Sequence, residues 1–442
     1  MDTTTLTQTS ATALARLIGR RDVSAEETVR AYLNRIEEIN PTLNTVIQIA
    51  PESAIEQARA ADQALARGES TGPLHGIPVT VKDVFPIVES ARMIAAPGMP
   101  EPLYFGESRE STVVTRLRMA GAIPIAVTKA TQWSDREEHY GLSHNPYDLT
   151  RTTGGSSGGT AATIAAGGAA IGIGSDSGGS LRLPAHYCGI ATLRPSNGRV
   201  PRGIDSDSLI DPRTVSGPLA RSVEDLIVTM EVIAGIDTQD TTSLPLPWRN
   251  PRQVNLRGLR CAVFTNNGLV APTPDVNEAV TNAAESLERA GAITDFVVPP
   301  AMNEAWQITR KYLHYCGAEG RVGEYFKFLE SWDRYRLTMA EFMSDYDLII
   351  CPVEADAAPV AGDKSGADSF TYTAPFSLVG WPCAVVRAGT SANGLPIGVQ
   401  VVGAPWRDDL ALAAALHLEN TVGGWQPSPL NLKGMHPELA AR

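Results

Sequence analysis

From Gly76 onward the chain carries short apolar runs, many of them continuous rather than alternating, separated by Gly and Pro. They fall at Ile77–Val81, Ala122–Val127, Ala169–Gly174, Cys261–Phe264, Ile293–Val298, Asp347–Cys351, Cys383–Arg387 and Pro396–Val402. A run without alternation predicts a strand covered on both faces. Helical stretches lie between the runs, so the pattern predicts an α/β fold: a single large domain whose mixed central β-sheet is covered by helices on both faces.

The first 70 residues read as helical. Ser24 and Glu27 form a capping box, and Val29, Tyr32, Leu33 and Ile36 recur at helical spacing. Ile39-Asn40-Pro41 is expected to end that helix, and a second helix to run from about Glu52 to Ala66, stopping near Gly68. Further on, Asp275 and Glu278 predict another capping box, followed by an apolar stripe at Val276, Val280, Ala283 and Leu287 and a stop at Gly291. Residues 238–256, rich in Pro, Thr and Asn, predict a surface connection. No repeat of fixed period and no long linker divides the chain.

Composition narrows the possible partners. Of the 442 residues, 43% are hydrophobic and 19% charged, which suits a sizeable core. A net charge of −12, from 49 acidic and 37 basic side chains, disfavours nucleic acid and anionic membrane surfaces. The longest weakly polar run, Thr160 to Gly174, is too short and small-sided to span a membrane. Five widely spaced cysteines without a C-x-x-C pair suggest reduced thiols, and the first residues lack a signal-peptide pattern. A cytoplasmic protein is expected.

Two glycine-serine segments carry the chemical interest: Gly154-Gly155-Ser156-Ser157-Gly158-Gly159, and Gly174-Ser175-Asp176-Ser177-Gly178-Gly179-Ser180-Leu181-Arg182. Neither is followed by the Lys of a phosphate-binding loop, and Ser177 stands where a dinucleotide fingerprint needs its third Gly. The nucleophile elbow fails because Arg182 occupies the position of its second Gly. The seven histidines form no H-E-x-x-H, so no metal site is expected. What remains is nucleophilic catalysis by serine without histidine, which needs another base. Lys82 ends an apolar strand, where desolvation would lower its pKa from the usual ~10.4. Taken alone, Lys82 reads more simply as a strand-end lysine reaching solvent or paired with Asp83.

The blocks GIPVTVKD, GGSSGG and SDSGGSLRLPA, in this order and spacing, resemble the diagnostic segments of the amidase signature family. The resemblance extends through STVVTRLRMAGAIPIAVTKATQW, HNPYDLT, VSGPLARSVEDL and GLPIGVQVVGAPWRDDLAL. It implies one domain over residues 1–442, with N-terminal helices at 1–70 and a catalytic core at 71–235. A variable substrate-pocket region at 236–380 and a C-terminal return to the sheet at 381–442 would complete it.

By the same resemblance Ser180 is the nucleophile, Ser156 a proton-relaying serine held by a cis peptide bond, and Lys82 the neutral lysine that accepts the proton. Backbone N–H groups of Ser177, Gly178, Gly179 and Ser180 match the oxyanion hole. Arg182 matches an arginine that is usually structural and sometimes meets a substrate carboxylate. Ser157, the rival of Ser156, is expected to give a supporting hydrogen bond. Asp83 and Asp176 are expected to orient loops, and Cys188 to pack in the core.

The implied activity is hydrolysis of a C–N bond in a small amide or carbamate, as in aryl acylamidases and urethanases, without cofactor or metal, by a monomer or homodimer. An amidotransferase subunit working with partner chains and a catalytically silent binding protein on the same fold are the alternatives. The segment Gln132–Leu142 departs from the usual family spelling and is expected to border the active-site mouth. Eight aromatics between Trp306 and Tyr335 suit either helix packing or a pocket wall.

Overall fold

The computed structural model describes residues 2–69, 71–87, 110–132, 134–202, 211–315, 322–362 and 370–429. Among them, eleven strands form one mixed sheet. In chain order these are β1 (Val46–Ile49), β2 (Pro78–Lys82), β3 (Ile123–Thr128), β4 (Ile171–Asp176), β5 (Ala191–Arg194) and β6 (Val215–Ala220), then β7 (Arg260–Val263), β8 (Ile293–Phe296), β9 (Leu348–Pro352), β10 (Cys383–Thr390) and β11 (Pro396–Gly403). Their order across the sheet is β1-β3-β2-β4-β6-β5-β10-β11-β9-β7-β8. β2 lies parallel to both β3 and β4, and β7 parallel to both β8 and β9; the remaining pairs are antiparallel.

Each of the eight apolar runs lies on a strand. Among them β2, β3 and β4 are buried at every position, which is why their sequences do not alternate. β8 is the exception: it lies at the sheet edge, where Ile293 and Phe296 are exposed. The Ala- and Gly-rich stretch at 160–174 is explained by close packing of the helix Gly158–Ala165 on β4. A Cβ on Gly172 would lie 2.3 Å from Thr160 Cγ2, and one on Gly174 would lie 2.6 Å from Ser157 Oγ.

Two helix boundaries differ from expectation. The helix capped by Ser24 and Glu27 runs from Ala25 to Leu43, straight through Pro41. A proline this close to the C-terminus frees a single carbonyl, that of the exposed Glu37. The Asn40 side chain then takes over the exit, with Oδ1 accepting from the Thr45 and Val46 N–H groups and Nδ2 donating to the Val46 carbonyl. That exit leads into β1, a strand that the helical pattern of the first 70 residues does not predict. The second difference is at Asp275. The helix there is Pro274–Arg289 with Thr273 at its N-cap, so Asp275 lies inside the first turn. Its carboxylate instead accepts from the Ala392 N–H. Pro274 at the first helical position moved the start by two residues. Gly291, at φ 94°, follows the helix end as expected.

The main core lines both sides of the sheet, and a second cluster joins β7, β9 and β11 to the helices Met302–Tyr315, Val322–Met343 and Ala374–Val379. Part of the aromatic segment takes the packing role. Phe328, Trp332 and Tyr335 are buried in the second cluster, whereas Tyr325 and Phe326 are exposed. Trp332 Nε1 donates to the Leu378 carbonyl and Tyr335 Oη to that of Pro375. These rings thereby hold the helix Ala374–Val379, whose preceding residues Phe370–Thr373 approach the serine loops. Of the surface connection expected over 238–256, residues 238–250 lie outside helix and strand and are mostly solvent-facing, and a short 3-10 turn, Pro251–Gln253, follows. No helix among the described residues is long and apolar enough to cross a membrane.

Candidate active site

The parallel strands β3, β2 and β4 deliver their C-terminal ends to one edge of the sheet, the usual location of ligand crevices in such folds. β2 ends in Lys82, which has no solvent exposure. Its Nζ lies 2.7 Å from Ser156 Oγ and 3.1 Å from Ser175 Oγ. Burial lowers the Lys82 pKa to about 8, against an opposing pull from the Asp83 and Asp176 carboxylates. At pH 7 about a tenth of this amine is therefore uncharged, far more than for a lysine at its ordinary value.

The first glycine-serine loop runs alongside. The Gly155–Ser156 peptide bond is cis. The Thr131 N–H donates to the Ser156 carbonyl at 3.0 Å. The Thr131 hydroxyl donates to the Gly154 carbonyl at 2.6 Å and accepts from the Gly158 N–H at 3.1 Å. The adjacent serines face opposite ways. Ser156 is half-buried and meets Lys82, whereas Ser157 is fully buried, its Oγ donating to the Ser175 carbonyl and accepting from the Ser175 N–H. Ser157 therefore fastens the loop to β4.

The second loop is organised by Asp176 at the end of β4. Its carboxylate accepts from the Leu181 N–H and binds the Arg182 guanidinium through both oxygens. Burial pushes the Asp176 pKa up, but Arg182 and Arg194 outweigh it, and the carboxyl stays below its usual range. Arg182 also donates to the Thr373 carbonyl, Gln400 Oε1 and Ser377 Oγ. All five of its N–H groups are thereby engaged, which leaves none for a substrate carboxylate.

Between these anchors lie Ser177, Gly178, Gly179 and Ser180. Ser180 is half-buried, and its carbonyl accepts from the Ser157 N–H at 3.1 Å, so the two loops are joined through their backbones. The backbone N–H groups of Gly178, Gly179 and Ser180 donate to no atom of the described residues, which leaves them available to an oxygen in the crevice. The Ser177 N–H likewise donates to no atom of the described residues, and Ser177 Oγ hydrogen-bonds Thr214 Oγ1 at 2.6 Å. The loop passes close to the segment Phe370–Thr373: a Cβ on Gly179 would sit 2.5 Å from Thr373 Oγ1, and one on Gly178 would sit 3.4 Å from Phe370 Cδ1.

Asp83 Oδ1 accepts from the Ala130 N–H, an orienting contact between the ends of β2 and β3. Cys188 is fully buried, and burial raises its thiol pKa strongly. The other described cysteines, Cys261, Cys351 and Cys383, are also buried thiols. Among the described residues no group of three His, Cys, Asp or Glu side chains could hold a metal ion.

Sequence reasoning passed over Ser175, Thr131 and Thr373. Ser175 lies within a diagnostic block, but its approach to Lys82 depends on the pairing of Val81 with Ile173 across β2 and β4. Thr131 and Thr373 come from distant segments, and nothing in their local sequence marks them.

The family model named Amidase matches residues 27–322 and 322–412. The chain is 31% identical to an indoleacetamide hydrolase of Bradyrhizobium diazoefficiens, over 94% of this chain and 87% of that protein. It is also 31% identical to a glutamyl-tRNA(Gln) amidotransferase subunit of Thermosynechococcus vestitus, over 94% of this chain and 98% of that one. Among solved structures, 6-aminohexanoate cyclic dimer hydrolase superposes with a TM-score of 0.82 at 26% identity, covering 96% of this chain and 99% of that one.

Proposed function

Given that the chain belongs to the amidase family, also called the amidase signature family, whose hydrolases act on carbon–nitrogen bonds, we propose that it hydrolyses the C–N bond of a small amide or carbamate through an acyl-enzyme on Ser180. The observation that carries this proposal is the contact of a fully buried Lys82 amine with Ser156 Oγ at 2.7 Å. In the neutral amine the nitrogen lone pair takes the Ser156 proton while Ser156 takes that of Ser180. Ser180 Oγ attacks the substrate carbonyl carbon, and the charge forming on its oxygen is met by N–H groups of the 177–180 loop. Collapse breaks the C–N bond as Ser156, resupplied by Lys82, returns a proton to the leaving nitrogen. Water, deprotonated through the same relay, then attacks the acyl carbon, and as the ester bond breaks the relay returns the proton to Ser180 Oγ, releasing the carboxylic acid of an amide or the carbonic half-ester of a carbamate.

No step needs a metal or organic cofactor. A carbamate offers the same carbonyl and leaving nitrogen, so aryl acylamidase and urethanase activities both lie within reach of this chemistry. The four described thiols are buried and unpaired, which suits a reducing, cytoplasmic setting.

The equal likeness to an amidotransferase component supports a second reading, in which the same chemistry releases ammonia for partner chains. One experiment separates the two. The purified chain is assayed alone against aliphatic amides, anilides, esters and carbamates, with Ser180→Ala as control and a fluorophosphonate probe to report on Ser180. Turnover by the lone chain supports a free-standing hydrolase. Labelling of Ser180 without turnover of any substrate favours the amidotransferase reading, and the absence of both refutes the proposed mechanism.

A further inference from the structure

Gln132 follows directly on Thr131, whose backbone pairs with Ser156, and its backbone is left-handed at φ 62°. Outside glycine and asparagine that conformation is uncommon and sets the direction of the side chain. Gln132 is fastened there on both sides. The Thr131 N–H and hydroxyl hold the first glycine-serine loop, and the Gln132 N–H donates to Glu137 Oε1 at 2.9 Å. The end of the same segment is tied down by Lys129 Nζ on the Gly141 carbonyl and by Asn44 Nδ2 on the Leu142 carbonyl.

So held, the Gln132 side chain lies across Gly155, the residue preceding Ser156. A Cβ on Gly155 would sit 2.5 Å from Gln132 Oε1 and 2.8 Å from its Cδ. The side chain is solvent-exposed and makes no hydrogen bond to the described residues. A polar group on an anchored backbone, free of internal partners and lying over the residue that precedes the proton-relaying serine, is positioned to meet the substrate.

We propose that the Gln132 side-chain amide is a specificity determinant for the leaving half of the substrate, its oxygen accepting a hydrogen bond from the leaving nitrogen. This inference rests on the roles assigned above to Ser180, Ser156 and Lys82. Ser156 returns the proton to the leaving nitrogen, so a group covering Gly155 is on the leaving-group side of the carbonyl. Accepting that N–H turns the nitrogen so that its developing lone pair faces Ser156. The substrates favoured are amides and carbamates whose nitrogen keeps at least one hydrogen. Esters of the same acyl group have no N–H to offer.

The test compares a primary amide and a methyl ester of one acyl group, in the wild type and in Gln132→Met, which keeps length and volume and removes the amide. Loss of one such hydrogen bond predicts a drop of about tenfold in kcat/KM for the amide and less than twofold for the ester. Thermal unfolding of Gln132→Met should match the wild type, and Gln132→Ala should show the same amide-selective loss. An equal change on both substrates, or an unchanged amide rate, overturns the role of Gln132 while leaving Ser180 chemistry intact. A wild type that is neither labelled by a fluorophosphonate nor active on either substrate overturns the catalytic reading and this inference together.

Discussion

Lys82 Nζ donates to Ser156 Oγ at 2.7 Å from a position without solvent exposure, at the end of a strand whose every residue is buried. Desolvation is what gives a lysine the properties of a base near neutral pH. The first prediction follows from this contact.

If Lys82 acts as the neutral base, kcat/KM should rise with pH and level off with a midpoint near 8. Lys82→Met should lower kcat/KM by at least about a thousandfold. Lys129 is also buried and also lowered to about 8, by burial first, so it is the natural control. Lys129→Met should leave the midpoint in place, and a midpoint that moves with Lys129 would assign the titration to the wrong amine. Stability carries the same sign. The folded pKa lies below the unfolded value, so the unfolded chain binds more protons between about 8 and 10.5, and stability should increase with pH across that window.

The opposed directions of Ser156 and Ser157 predict different phenotypes for the two serines. Ser156→Ala should cost about 10²–10⁴ in kcat/KM with little change in unfolding temperature. Ser157→Ala removes both hydrogen bonds to the Ser175 backbone, so it should destabilise the fold by about 1–3 kcal/mol and reduce the rate less. Steady-state kinetics and thermal unfolding of both variants decide this; equal kinetic losses would contradict it.

Asp176→Asn should be among the most destabilising single changes in the molecule. It leaves the Arg182 guanidinium buried without its counter-charge, a change typically worth about 3–5 kcal/mol. Denaturant unfolding should show the loss. Arg182→Lys should not restore stability, because an ammonium cannot span Asp176, the Thr373 carbonyl, Gln400 and Ser377 together.

If the loop N–H groups form the proposed oxyanion hole, Gly179→Ala should lower kcat by at least about a hundredfold, the usual cost when one such donor no longer meets the oxyanion. The added methyl would meet Thr373 Oγ1 at 2.5 Å and push the loop from its place. Thr373→Ala removes that oxygen, so the double variant should recover part of the lost rate. A double variant no better than Gly179→Ala would mean that the contact does not hold the loop.

Much of the architecture was readable because burial on two faces leaves a mark in sequence: an apolar run that does not alternate. β2, β3 and β4 carry that mark and were expected where they occur. β1, β5 and β6 carry little of it. β1 has a single buried residue, Val46, and β5 and β6 include Thr, Arg, Ser, Gly and Pro, so neither period stood out. Helix boundaries failed where a proline changed the local arithmetic, at Pro41 and Pro274. Which aromatics of the 306–335 segment are buried could not be read in advance, because packed and exposed positions there carry the same residue types.

The sequence by itself determined which side chains are available for chemistry. It offered two serine-bearing glycine loops and a lysine at the end of an apolar strand, without the histidine motif or metal-ligand pattern that other hydrolases use. It also determined the class of fold, since hydrophobic period is a local property. Only the tertiary structure decided which serine meets Lys82, that Arg182 has no donor left for substrate, and that Thr131, Ser175 and Thr373 belong to the site. These outcomes depend on strand register and on contacts between segments as far apart as residues 82, 156 and 373. The free energy that fixes them comes from the packing of the whole sheet, and no window of sequence contains it.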